Sequence, residues 1–117
     1  MAGIKIIKDS ISRQELIKMA SEEFGDIVKA VVDTEQEIMV IGGELHADEE
    51  ILLVEKERSK RERVWGINIY PKKPEGEWIE FDSMINLKPQ YGNRSRDVED
   101  SEIKEKIKKI VRKLIVE

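Results

Sequence analysis

The sequence contains no cysteine and only one histidine, His46, among its 117 residues. Disulfide bonds, a thiolate nucleophile and a cysteine-based zinc site are therefore excluded. No apolar run approaches the ~18–20 residues that a membrane-spanning helix needs. The first ten residues are interrupted by charge too early for a secretory signal. We therefore expect a cytoplasmic protein that makes no membrane contact.

Hydrophobic residues make up 39% of the chain and charged residues another 39%, with a net charge of −4. This balance is typical of a globular protein, and the length favours a single domain over residues 1–117. Asparagine and glutamine are scarce, at three each, while charges of both signs are abundant. That combination is typical of proteins from hot environments, where ion-pair networks gain value.

Helix signals lie near both ends of the chain. Ser12 and Glu15 have the spacing of a capping box, which predicts a first helix over about 12–24 that ends before Gly25. Asp100 or Ser101 begins the last helix, whose apolar residues recur at helical spacing on one stripe. That stripe consists of Ile103, Ile107, Ile110, Val111 and Leu114.

The central part of the chain is predicted to form strands separated by turns. Five apolar or alternating runs are predicted as strands, at 27–33, 37–43, 51–54, 64–71 and 77–89, and residues 4–7 read as a short additional strand. The charged segment 56–63 is predicted as a hairpin tip or loop. Short connections make successive strands antiparallel. The expected fold is therefore α+β, with a mostly antiparallel five-stranded sheet and both terminal helices on one face, in two layers.

Four blocks of the sequence are distinctive in combination, namely IGGELHADEE (41–50), WGINIYP (65–71), EFDSMINLKP (80–89) and GNRSRDVED (92–100). Together they resemble a family of short microbial proteins known only as a domain of unknown function. The resemblance implies a single compact domain. It brings no established activity, cofactor or site residue.

The first candidate site is the acidic segment around the single histidine. In an extended chain Glu44, His46 and Asp48 would lie on one side, because side chains alternate along a strand. Carboxylates with one imidazole suit a divalent cation such as Mg²⁺ or Mn²⁺. The alternative is a turn at the end of a strand, in which the glycines provide unusual backbone angles and Asp48 caps a helical turn.

The second candidate is the last predicted strand. Alternation places Trp78, Glu80 and Asp82 on one face, and Asn68 on the neighbouring strand joins them. Paired carboxylates can hold a cation or divide acid and base roles, so His46, Glu80 and Asp82 are the candidate catalytic residues. The alternative is an ordinary solvated sheet face that carries an exposed tryptophan.

The third candidate is the segment before the last helix, which contains Asn93, Arg94 and Arg96. Guanidinium groups bind phosphate or carboxylate through paired hydrogen bonds. These residues, with Asn68 and Trp78, are therefore the predicted ligand-binding set, and an anionic small molecule is the predicted ligand. In the alternative, the arginines pair with carboxylates of the same chain and fix the loop on the sheet.

Two hypotheses of function follow. In the first, the protein is a small binding or interaction domain that acts through its polar sheet face and the loop at 92–96, with Trp78 burying that face in a homodimer. In the second, it is a metal-assisted hydrolase or a phosphate-ligand binder, in which His46, Glu80 and Asp82 surround a divalent cation. Convergence of these side chains within about 10 Å separates the two hypotheses. Nucleic-acid binding is not expected, because the chain is acidic overall and contains no recognised nucleic-acid-binding motif.

Overall fold

The computed structural model describes residues 3–117, which contain three α-helices and seven strands. The helices are α1 (Arg13–Glu23), α2 (His46–Glu57) and α3 (Ser101–Leu114). The strands are β1 (Lys5–Ile7), β2 (Ile11–Ser12), β3 (Val28–Asp33), β4 (Ile38–Ile41), β5 (Val64–Ile69), β6 (Ile79–Glu80) and β7 (Ile115–Val116). Short 3₁₀ turns lie at 61–63, 75–77, 84–86 and 89–91.

Local capping signals set the ends of the two terminal helices. The Ser12 hydroxyl accepts a hydrogen bond from the Glu15 backbone N–H at 3.1 Å, which fixes the start of α1. Gly25 follows that helix with φ +96° and donates to the Ala20 carbonyl at 2.7 Å. The Asp100 carboxylate accepts from the second and third residues of α3, as expected for an N-cap. Both predicted helices are confirmed.

The main sheet has five strands in the order β1-β4-β3-β5-β6, and every neighbouring pair is antiparallel. Strands β2 and β7 form a separate two-stranded parallel ribbon that joins the start of α1 to the end of α3. The prediction of an α+β fold with a five-stranded antiparallel sheet is confirmed.

Both faces of the sheet are covered. On one face, residues of α1 and α3 such as Leu16 and Ile107 pack against alternate strand residues that include Ala30 and Ile67. These two helices share one face, as predicted. On the other face, Leu53 of α2 packs with the remaining strand residues, and the turn at 84–86 lies beside it. The expectation of two layers is therefore wrong, because helices cover both faces of the sheet and the domain has three layers.

The prediction of a strand at 51–54 is wrong, because these residues lie inside α2. The run is too short for its period to distinguish a strand from a buried helix turn. The acidic residues before it favour a helix start, since they oppose the helix dipole. The predicted strand at 77–89 is also mostly wrong, because only Ile79–Glu80 pairs with β5 and two 3₁₀ turns follow.

Candidate functional site

Three polar side chains form a row across the sheet on the face covered by α2. Lys29 lies directly opposite Asn68 on the neighbouring strand, and Asn68 lies directly opposite Glu80. The Asn68 amide Nδ2 donates to Glu80 Oε1 at 2.8 Å, and the Tyr70 hydroxyl reaches the same oxygen at 3.3 Å. The sheet register therefore brings together residues from three separate segments of the sequence.

The loop before α3 folds back onto the end of this row. The Arg96 carbonyl accepts a hydrogen bond from the Ser83 backbone N–H at 3.1 Å, which places the two segments side by side. The Arg96 Nε then lies 2.6 Å from Asp82 Oδ1. Asn68 Nδ2 reaches the Asp82 carbonyl at 3.5 Å. An arginine of this loop thus pairs with a carboxylate of the same chain, as the alternative interpretation of the loop predicted. The carboxylate belongs to Asp82, two residues after the end of β6.

His46 lies on the same face, at the first position of α2. Its Nε2 lies 2.8 Å from the Ile67 carbonyl oxygen. A carbonyl oxygen only accepts, so Nε2 carries the hydrogen and Nδ1 keeps its lone pair in the neutral ring. Burial lowers the pKa of His46; the Lys29 and Arg96 charges lower it further, while the Ile67 carbonyl and Asp82 oppose the change. His46 is therefore neutral at pH 7 and within electrostatic range of Asp82 and Arg96.

These residues define one surface, which we call the polar surface. It lies where the start of α2 meets the β5–β6 edge of the sheet. It comprises His46, Asn68, Tyr70, Glu80, Asp82 and Arg96. Five of the six, all except Tyr70, were predicted as candidate site residues.

Asn93, which was predicted to bind a ligand, is a buried residue of the loop. Its side chain is 4% exposed and makes four hydrogen bonds to the backbone. The amide nitrogen donates to the carbonyls of residues 86, 95 and 97, and the amide oxygen accepts from the backbone of Glu99. Asn93 therefore holds the loop that presents Arg96, and its side-chain polar atoms are bonded to the backbone.

Arg94 and Arg96 point to different environments although only one residue separates them. The Arg94 side chain is exposed, and within residues 3–117 Arg94 makes one hydrogen bond, from its backbone N–H to Glu99. Arg96 is instead fixed by Asp82. Only one of the two predicted arginines thus joins the polar surface.

Trp78 does not lie on the polar face. It is 7% exposed within the core under α1 and α3, and its indole N–H donates to the Lys73 carbonyl at 2.7 Å. Trp78 has helical backbone angles at the end of the 3₁₀ turn, so the alternation of the following strand does not extend back to it. The expectation of an exposed tryptophan beside Glu80 is wrong for this reason.

The acidic segment does not form the expected metal-binding arrangement. A helix begins at His46, so Glu44, His46 and Asp48 do not alternate along a strand, and both carboxylates are exposed. Within residues 3–117 no group of three histidine, aspartate or glutamate side chains is arranged to hold a metal ion. The carboxylates of Glu80 and Asp82 are instead bound by Asn68 and Arg96.

One functional candidate was missed by the sequence predictions. Glu49 is fully buried on α2, and its Oε2 accepts from the Gly43 backbone N–H at 2.9 Å. Burial raises the pKa of Glu49 well above its ordinary value, while the hydrogen bond from Gly43 opposes the change. Glu49 Oε1 and Asn68 Oδ1 are the two buried side-chain atoms in the described part of the chain that lack a hydrogen-bond partner. The glycine pair before α2 was the available signal, because a Cβ on Gly43 would clash with Glu49.

The described helices include none that is long and apolar enough to cross a membrane. Together, the fold and the polar surface define an α+β domain that presents a fixed arginine, two carboxylates and a neutral histidine at one sheet edge. The model of the family described as "Protein of unknown function (DUF5674)" matches residues 5–114, and the chain belongs to this family. The comparisons find no match among curated proteins and none among solved structures.

Proposed function

We propose that the protein binds a small molecule that carries an anionic group, and that the polar surface is its binding site. The observation that carries the proposal is the Arg96–Asp82 pair at 2.6 Å. A guanidinium held by one carboxylate through Nε keeps both Nη groups available for a phosphate or a carboxylate. Within residues 3–117 the Arg96 Nη groups have no recorded hydrogen bond, and the side chain is 55% exposed.

The arginine is held in place before any ligand arrives. Asp82 orients the guanidinium, and Asn68 in turn contacts the Asp82 backbone and holds Glu80. A donor that is already fixed loses less conformational entropy on binding. An arginine on a free loop, such as Arg94, lacks this advantage.

The rest of the polar surface offers hydrogen-bond acceptors. The His46 ring is neutral and keeps a lone pair on Nδ1, and the Glu80 carboxylate is exposed. A ligand with an anionic group at one end and an N–H donor at the other would match both parts. This supports a mixed-charge molecule over a purely anionic one.

Metal-assisted hydrolysis and homodimerisation, the other parts of the two hypotheses, have less support. For metal-assisted hydrolysis, the described residues provide no group of three histidine, aspartate or glutamate side chains that could hold a metal ion. A homodimer through an open sheet face requires that face to be uncovered. In the folded protein α2 packs on it, and Trp78 lies in the opposite core.

The test is a binding titration that follows thermal stability and NMR shifts of the Arg96 and His46 side chains. The probes are inorganic phosphate and O-phosphoethanolamine, which adds an amine to the same anion. The structure predicts that both ligands bind, and that phosphoethanolamine binds more tightly. The Arg96→Gln variant should weaken binding at least about tenfold, because hydrogen bonds to charged groups contribute about 1.5–3 kcal/mol.

Arg94→Gln is the matched control, because it removes the same charge from the same loop without touching the polar surface. It should bind both probes as the unchanged protein does. An equal loss of affinity in the two variants would show a diffuse charge effect and would contradict the proposal. Absence of binding by either probe at millimolar concentration would do the same.

A further inference from the structure

A second concave surface lies away from the polar surface. It is a groove of about 550 Å³ between the turn at 89–93 and the start of α3. Trp65 and Ile103, both packed in or against the core under α1 and α3, line its apolar part. No residue of the polar surface lines it, so the two surfaces are separate. Its volume is in the range typical of ligand sites.

The walls of the groove are rigid. Asn93 forms one part of the wall and makes the four backbone hydrogen bonds described above. The Lys88 and Asn93 backbones also pair with each other at 2.8 and 3.1 Å. Asp100 is fixed on the opposite side, because it caps α3. The groove therefore exists before a partner binds.

Tyr91 is the exposed aromatic residue of this groove. Its side chain is 57% exposed although the turn that carries it is held by the Lys88–Asn93 pairing. A large aromatic ring at the edge of a preformed groove provides a face on which a cation or a flat group can stack. Trp65 in the same groove already has the Lys88 ammonium 4.9 Å from its ring centroid.

The charge of the groove is predominantly negative. Three carboxylates line it, from Glu62, Glu99 and Asp100, against two basic groups, the Arg63 side chain and the Lys88 ammonium over the indole ring. Glu62 is half-buried and lies close enough to Lys88 for the two charges to interact. An anionic partner would be repelled by this charge, and a cationic one would be attracted.

We propose that this groove binds an arginine side chain of a partner peptide. The guanidinium would stack on Tyr91 and hydrogen-bond to Glu62, since arginine combines a flat stacking face with a fork of donors. Lysine has the same charge and lacks the flat face. The partner is therefore a basic peptide segment, and the binding is independent of the proposed small-molecule site.

The experiment uses the full chain and a blocked Gly-Arg-Gly-Arg-Gly peptide, followed by NMR shifts of the Gly92 and Asn93 amides. The same peptide with citrulline in place of arginine keeps the shape and removes the charge. Binding of the arginine peptide and at least about fivefold weaker binding of the citrulline peptide support the proposal. Equal binding of the two peptides would overturn it, and so would equal shifts with spermidine.

Two variants locate the binding. Tyr91→Ala and Glu62→Gln should each weaken it about two- to fivefold, in line with exposed cation–π and ion-pair contacts. Their controls are Met84→Ala and Glu55→Gln, which change exposed residues outside both surfaces. Unchanged peptide affinity in both groove variants, with the fold intact by circular dichroism, would contradict the proposal.

Discussion

The Glu49 carboxyl lies directly against the backbone of Gly43. Its Oε2 accepts the Gly43 N–H at 2.9 Å, and a Cβ added to Gly43 would lie 2.7 Å from Glu49 Cγ. The glycine thus leaves room for a buried acid, which lies beneath the first turn of α2. His46 lies on the same turn, three residues before Glu49.

The buried acid predicts a pH dependence of stability. The folded-state pKa of Glu49 is raised above the unfolded value, so the folded protein holds a proton that the unfolded chain releases. Stability is therefore fully present below the unfolded pKa and falls as pH rises toward the folded pKa, by at most about 1.4 kcal/mol per pH unit. Glu49→Gln should reduce this slope, as measured by urea unfolding between pH 4.5 and 8.

Glu55→Gln is the control for this slope, because Glu55 is exposed on the same helix. It should leave the pH dependence as it is in the unchanged protein. A Glu49→Gln variant whose stability retains the full slope would show that Glu49 is ionised in the folded protein. That result would contradict the role assigned to burial.

The single histidine predicts an effect of the opposite sign. Burial lowers the folded-state pKa of His46 below 6.5, so the unfolded chain binds the proton more readily. The associated stability is present above pH 6.5 and is lost as pH falls through the folded pKa. Because the chain has one histidine, its ring proton resonances are unambiguous in an NMR titration. A midpoint at or above 6.5 would exclude the buried, neutral ring.

The turn at 84–86 depends on a glycine in the middle of β5. A Cβ on Gly66 would lie 2.5 Å from the Ser83 hydroxyl and 2.6 Å from Ser83 Cβ. Asn86 also bonds to both the N–H and the carbonyl of Gly66. Gly66→Ala should therefore destabilise the protein by about 1–3 kcal/mol, as overpacking in a close-packed core does.

Gly76→Ala is the matched control for this substitution, because its new methyl group would meet nothing within 4 Å. Its free energy of unfolding should stay within about 0.5 kcal/mol of the unchanged protein, as for most surface changes. Equal stability of the Gly66 and Gly76 variants in chemical denaturation would show that the turn moves aside freely.

We expect substitutions at two neighbouring residues of the loop before α3 to differ in their cost to stability. Asn93→Ala removes four hydrogen bonds from a buried site and should cost about 2–4 kcal/mol, since each buried backbone group it serves is left without a partner. Arg94→Ala changes an exposed side chain and should cost less than about 0.5 kcal/mol. Thermal unfolding measures both. Unchanged thermal stability of the Asn93→Ala variant would mean that other contacts hold the loop.

Much of the fold was predictable because its signals are local. The capping residues Ser12 and Asp100 and the apolar stripe of α3 act through neighbours two to four residues away. The mostly apolar, buried runs of β3 and β5 are likewise recognised from the composition of each strand. Such patterns can be recognised from a short segment of the sequence alone.

Whether residues 51–54 form a strand or part of a helix was not predictable in this way. Four apolar residues satisfy either a strand or one buried turn of a helix, and only the available sheet face decides between them. In the folded protein Leu53 covers the face of β3 and β4 that α1 and α3 leave open. The competing strand position is occupied by β1, which pairs with β4.

The sequence by itself determined the class of fold, the two terminal helices and most of the residues that form the polar surface. Composition, capping and periodicity act over a few residues, so one chain is enough to read them. Only the tertiary structure decided that α2 covers the second face, that Trp78 is buried and that Arg96, rather than Arg94, meets Asp82. Those outcomes depend on which distant surfaces exclude water together and which polar groups find partners when they do.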